Sequence, residues 1–194
     1  KEKRVFFKIQ SAGSRHIQIF QHAFPETPYL FVYREPVQVL MSQLAHGVKG
    51  ANCVRNYRQP PKSIQRILRK YGEHDRPSMQ DFCAAHLASI TENVVESMTE
   101  QGIPVNYRDL PDILYTDIFP SLMEGASIAP ADLDRMQEVD NIYSKGRGNK
   151  AGMEFEEDSE HKEDMADEMV RSAAETYLSE SYQQLEKLAA KHRG

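Results

Sequence analysis

Five apolar, strand-favouring residues, Tyr29-Leu30-Phe31-Val32-Tyr33, run directly into Arg34-Glu35-Pro36 and then into a helical pattern that carries Ser42. No other segment constrains the fold as much. Such a run reads as a buried strand, and Pro36 suits the first turn of the next helix, where a missing N–H leaves no hydrogen bond unmade. Ser42 follows Arg34 by eight residues, about two helical turns, so the connection can fold the guanidinium back toward that hydroxyl. Ligands of open α/β sheets collect at the carboxyl ends of strands, and a guanidinium fork beside a hydroxyl suits a phosphate. The stretch reads as an anion site.

The rest of the chain alternates in a way that fits this reading. Arg4 to Gln10 reads as a strand, Gly13 to Ala23 as a loop and short helix, and Phe24-Pro25-Glu26-Thr27-Pro28 as a turn. Helix Pro36 to about His46 places Val37, Leu40, Met41 and Leu44 at helical spacing, and Gly47 and Gly50 mark its end. Ala51 to Pro61 is irregular, after which Ser63 to Tyr71 forms a helix that Gly72 stops. The clearest long helix lies between Pro77 and Gly102, with Ser78 as N-cap and Phe82, Leu87, Ile90, Val94, Val95 and Met98 as its stripe. Gly102 to Tyr107 then reads as a short strand, as a parallel crossover requires.

Further helices open at Leu110-Pro111, reaching about Met123, and at Ala129-Pro130, reaching about Val139. The run 154–164 is strongly acidic and reads as a solvated linker or helix start. Beyond it, Asp164 to Ala190 spaces Met165, Met169, Ala173, Tyr177, Leu178, Tyr182, Leu185 and Leu188 as one long or broken amphipathic helix. Strands alternating with helices favour an α/β layer fold over a helical bundle, in one domain spanning residues 1–194.

Composition excludes several classes. A net charge of −5 argues against a broad footprint for nucleic acid, although a small positive pocket can sit in an acidic protein. No apolar run approaches the ~18 residues of a transmembrane helix. Cys53 and Cys83 stand apart, with neither metal-knuckle spacing nor the density of a disulfide scaffold, and suit a reducing compartment. No calcium-loop pattern is present. One basic loop stands out: Tyr143 to Lys150, where Gly146 and Gly148 let backbone approach a phosphate while Lys145 and Arg147 supply charge.

Arg34-Glu35-Pro36, Val39 and Ser42 resemble the R-[DN]-P-x-x-V-x-x-S segment of sulfotransferases that use 3'-phosphoadenylyl sulfate (PAPS). The resemblance implies a three-layer P-loop α/β domain with a parallel sheet flanked by helices. It also implies that Arg34 and Ser42 bind the cofactor's 3'-phosphate. Val105 to Leu110 is similar to the Y-E-D-L strand end of the family, which implies that Tyr107 packs on the adenine. Lys145 to Gly148 occupies the place of the family's closing R-K-G loop, although the tryptophan that usually follows is absent, and Tyr182 with Leu185 is similar to a closing Y-x-x-L. Phe6 to Gln10 is similar to F-x-K-T-H, which puts Lys8 at the family lysine, facing the sulfuryl group, and Gln10 where the catalytic histidine would be. Glutamine cannot take the acceptor's proton, so His16, six residues on, is the leading substitute base.

The family's phosphate loop, P-K-[SA]-G-[TS], should precede the first strand and does not; Pro61-Lys62-Ser63 lacks its glycine and reads as a helix start. The chain therefore reads as a sulfotransferase-like domain truncated at its amino terminus. Its expected co-substrate is PAPS, with no metal, and its acceptor a small molecule or carbohydrate bearing a hydroxyl or amine. The expected location is cytoplasmic, or the Golgi lumen should an upstream anchor exist. A P-loop kinase-like phosphotransferase and a non-catalytic nucleotide-binding or scaffold domain are the alternatives.

Overall fold

The expected strand and helix meet as the sequence requires. In the computed structural model, which describes residues 5–45, 51–72, 76–122, 128–140, 142, 152, 154 and 159–193, Tyr29–Tyr33 forms strand β1 and Pro36–Leu44 helix α2. Pro36 is the first helical residue, and the Glu35 carboxylate caps the helix by accepting the Gln38 N–H at 2.9 Å. Before β1 come a 3-10 helix, Ser11–His16, and helix α1, Ile17–Ala23. After α2 the chain forms α3, Lys62–Tyr71, and α4, Met79–Ser97, and then enters strand β2, Gly102–Asn106.

Strand β2 lies parallel to β1, with Tyr29 opposite Gly102 and Tyr33 opposite Asn106. A Cβ at Gly102 would overlap the Met98 sulfur and the Tyr29 ring, so any larger residue there would force those side chains to shift where helix meets strand. These two strands form the whole sheet among the described residues, in a fold that is otherwise mostly helical. The three-layer sheet expected from the sequence is therefore reduced to a parallel pair. The expected first strand is absent: residues 5–10 have no regular structure, and Val5, Phe6 and Phe7 are 70%, 72% and 85% exposed. Apolar residues alone do not make a strand; a paired neighbour must satisfy the ladder, and no described residue pairs with this segment.

The described residues group into two compact units, 1–106 with 162–194, and 107–161. In the first, α4 is the central element, buried on several sides through Phe82, Ala84, Ala85, Leu87, Ala88, Ile90 and Val94. Helix α8, Glu168–Arg193, lays Val170, Ala173, Ala174, Tyr177 and Leu178 into the same core, where Leu40 of α2 and Ile64 and Ile67 of α3 close it. Alanines on both α4 and α8 let the two helices approach closely. A second cluster joins Phe31 and Tyr33 of β1 to Leu185 and Ala189 of α8, so the expected carboxyl-terminal helix does pack on the sheet. It runs unbroken, so the long form of that helix is the one present, and a short helix α7, Ser159–Asp164, precedes it.

The cysteines correct a second expectation. Cys53, in the 3-10 helix Asn52–Asn56, and Cys83 of α4 are bonded in a disulfide and fully buried. They looked isolated because 30 residues separate them, while folding brings their Cα atoms to 5.1 Å.

In the second unit, Tyr107–Asp109 makes a single tight turn, and a widened helical turn, Leu114–Ile118, runs into α5, Phe119–Leu122. Helix α6, Pro130–Asp140, receives the Tyr115 hydroxyl on Asp140 at 2.7 Å. These match the expected helices at Pro111 and Pro130, with the end at Met123 outside the described residues.

Candidate anion site at the sheet end

Arg34 is the residue that directly follows the carboxyl end of β1. It is half-buried, and its guanidinium turns back over the first turn of α2, where Nε donates to Gln38 Oε1 at 2.9 Å. Ser42 lies four residues beyond Gln38, hence on the same face of α2 and about one 5.4 Å turn further along. The fold-back expected from the sequence is thus present on its first leg. Gln38 is itself held, since its amide donates to Glu163 of α7 at 3.2 Å. This chain of contacts fixes the direction in which the guanidinium points.

Beside it, the last residues of both strands are tied to α8. Tyr33 donates its hydroxyl to Glu186 at 2.5 Å, and the buried Asn106 amide donates to the same carboxylate oxygen at 2.7 Å and to Tyr182 at 3.2 Å. Tyr33 and Tyr182 also meet edge to face at 5.8 Å. The Glu186 carboxylate thus joins the ends of both strands to α8 through charge-assisted bonds. Neither Asn106 nor Glu186 was singled out by sequence reasoning. A polar residue closing an apolar strand was the signal for Asn106; Glu186, on the other side of the chain, had none.

The remaining expected residues scatter. Tyr107 directly follows β2, in the turn Tyr107–Asp109, as a strand-end residue should. Lys8 is exposed in the segment that forms no strand, so it lacks the strand end that was to aim it. His16 is exposed at the junction of the 3-10 helix and α1, and its ring makes no hydrogen bond to a described residue. Lys145 and Arg147 lie outside the described residues. Among those described, no group of three His, Cys, Asp or Glu is placed to hold a metal ion, and no helix is long and apolar enough to cross a membrane.

Two polar clusters were not anticipated. One joins the amino-terminal helices to α4: Arg15 Nε donates to Ser89 Oγ at 3.0 Å, and Arg15 Nη2 lies 3.1 Å from His86 Nδ1. Burial, and secondarily the Arg15 charge, push the His86 pKa down to about 4, so the ring is neutral and accepts from the guanidinium. The other cluster staples three helices. Glu92 of α4, only 6% exposed, accepts from Lys70 of α3 at 3.1 Å and shares the single proton of the Tyr71 hydroxyl with Glu180 of α8, the two carboxylates lying 2.7 Å and 2.8 Å from that oxygen. Burial is the main cause that pushes the Tyr71 pKa up to about 12. This cluster is structural, because each of its groups bridges packed helices.

No protein-family model, curated protein or solved structure matches this chain.

Proposed function

We propose that the chain is a PAPS-binding sulfotransferase-like domain, in which Arg34 and Ser42 hold the 3'-phosphate of the cofactor. The observation that carries this reading is the placement of Arg34: it follows a strand of a parallel pair and folds along α2 toward the turn that bears Ser42. A guanidinium and a hydroxyl on one helix face at a strand's carboxyl end supply a forked donor and a second donor to one phosphate. Tyr107, next after β2, supplies an aromatic face of the kind that adenine stacks on. In this reading Lys8 meets the sulfuryl group. His16 is the candidate base, with the acceptor a small molecule or carbohydrate.

A second reading, nucleotide binding without catalysis, is favoured by one specific observation. Lys8 is exposed and on no strand, and Gln10 has no basic nitrogen to take a proton. The buried Cys53–Cys83 disulfide favours residence in an oxidising compartment over the cytoplasm, since such bonds persist where thiols are not kept reduced.

Thermal unfolding with ligands tests the proposal, because a ligand that binds only the native state raises its stability. The expected outcome is a raised melting temperature with adenosine 3',5'-bisphosphate and none with magnesium ATP. Stabilisation by magnesium ATP alone would replace the proposal with a kinase-like phosphotransferase. No response to either would leave a scaffold domain.

A further inference from the structure

Among the described residues, Arg15 is a charge without a counter-charge. Its hydrogen-bond partners, the Ser89 hydroxyl and the neutral His86 ring, use its Nε–H and one Nη2–H, and no described carboxylate pairs with it. A guanidinium carries five N–H groups, so about three remain directed away from these contacts. Burial lowers the Arg15 pKa from its ordinary value, a sign that the cation is partly stripped of water. A half-buried cation with neutral neighbours is costly unless an anion joins it.

The surroundings explain why no protein acid fills that role. From residue 5 to residue 25 the sequence holds Lys8, Arg15, His16 and His22 and not one Asp or Glu, in a chain whose net charge is −5. Helix α4 turns its acids away: Glu92 and Glu96 pair with Lys70 and Arg66 of α3. What it offers the amino-terminal helices is neutral. His86 and Ser89 take Arg15, the Asn93 amide donates to the Ser14 carbonyl at 3.3 Å, and Ser97 accepts from Gln18 at 2.8 Å. The orienting shell is firm, since the Ser89 hydroxyl is 2% exposed and donates to the His86 carbonyl at 2.7 Å. Ser89 and His86 thus aim the planar fork rather than neutralise it.

We infer that Arg15, oriented by His86 and Ser89, forms a second oxyanion site, separate from Arg34, that takes a phosphate or sulfate group. The carboxyl end of α4 meets the amino end of β1, where the Thr99 N–H and the Met98 sulfur contact the Tyr29 hydroxyl; Arg15 docks two to three turns back along α4 from there. The inference stands on these contacts and does not depend on the sulfotransferase reading.

The test is calorimetric titration of the protein with inorganic sulfate, inorganic phosphate and methyl phosphate at fixed ionic strength, in R34A, which removes the phosphate site proposed above, and in R34A carrying R15Q or R15K. The expected result is weak binding of all three probes by R34A, about tenfold weaker binding when R15Q is added, and partial rescue when R15K stands in its place, with melting temperatures showing that each variant is folded. Binding of the inorganic ions with rejection of methyl phosphate would assign the site to a free ion; acceptance of both would assign it to an ester on a larger molecule. Equal binding by R34A with and without R15Q would overturn the inference, as would the absence of any binding by R34A. If R15Q fails to fold, S89A serves in its place: it removes one orienting contact, and unchanged affinity for every probe then overturns the proposed geometry.

Discussion

Next to a guanidinium and partly out of water, the imidazole of His86 resists protonation for two reasons, lost hydration and a neighbouring like charge. The unfolded chain takes that proton near pH 6.5, whereas the folded chain waits until about 4. Folding stability from this group is therefore full above pH 6.5 and falls as pH drops toward 4. The whole contribution is at most roughly 2–3 kcal/mol, and partial exposure reduces it. Urea unfolding of H86Q against the parent at pH 7.5 and pH 4.5 checks this: the parent should lose more stability over that interval than the variant. Arg34, Pro36 and Ser42 were legible in the sequence because their relation is local, within one strand end and two helical turns. Arg15 and His86 were not, because 71 residues separate them and only the docking of a helix brings them together.

Helix α4 shows what an element reveals of itself. Ser78 accepts the Asp81 N–H at 3.0 Å while Asp81 accepts the Ser78 N–H at 3.1 Å, a reciprocal box that fixes the helix start. Ser78→Ala should cost about 1 kcal/mol, read as a lower denaturation midpoint with an unchanged slope. The start and type of α3, α4, α6 and α8 were readable from caps, prolines and apolar spacing. Their neighbours were not, because periodicity says which face is buried and not against what. The segment 5–10 failed for the complementary reason. Its letters favour a strand, yet strand formation is decided by a partner edge, and Leu30 and Val32 on β1 likewise leave one sheet face exposed at 37% and 47%.

On the largest scale, the Cys53–Cys83 disulfide closes a loop of 30 residues between the irregular segment and the central helix. Replacing both cysteines by alanine should cost roughly 3–4 kcal/mol through the unfolded chain's regained freedom. The two buried thiol positions in the α4 core add a packing loss, so the double variant should melt well below the parent, and reductant should lower the parent's melting temperature but not the variant's. No sequence pattern announced this bond, since two lone cysteines in unlike surroundings carry no spacing signal. The α/β alternation was legible, and the extent of the sheet was not, because each strand needs neighbours that its own residues do not name. Arg34 and Ser42 remain the pair on which the functional account rests. A double-mutant cycle of R34A and S42A, read by calorimetry with adenosine 3',5'-bisphosphate, tests their convergence most directly. The account predicts that R34A weakens binding about 10- to 100-fold, and that the two losses are non-additive because both groups grip one phosphate. Unchanged affinity in R34A, or strictly additive losses in the pair, would contradict it.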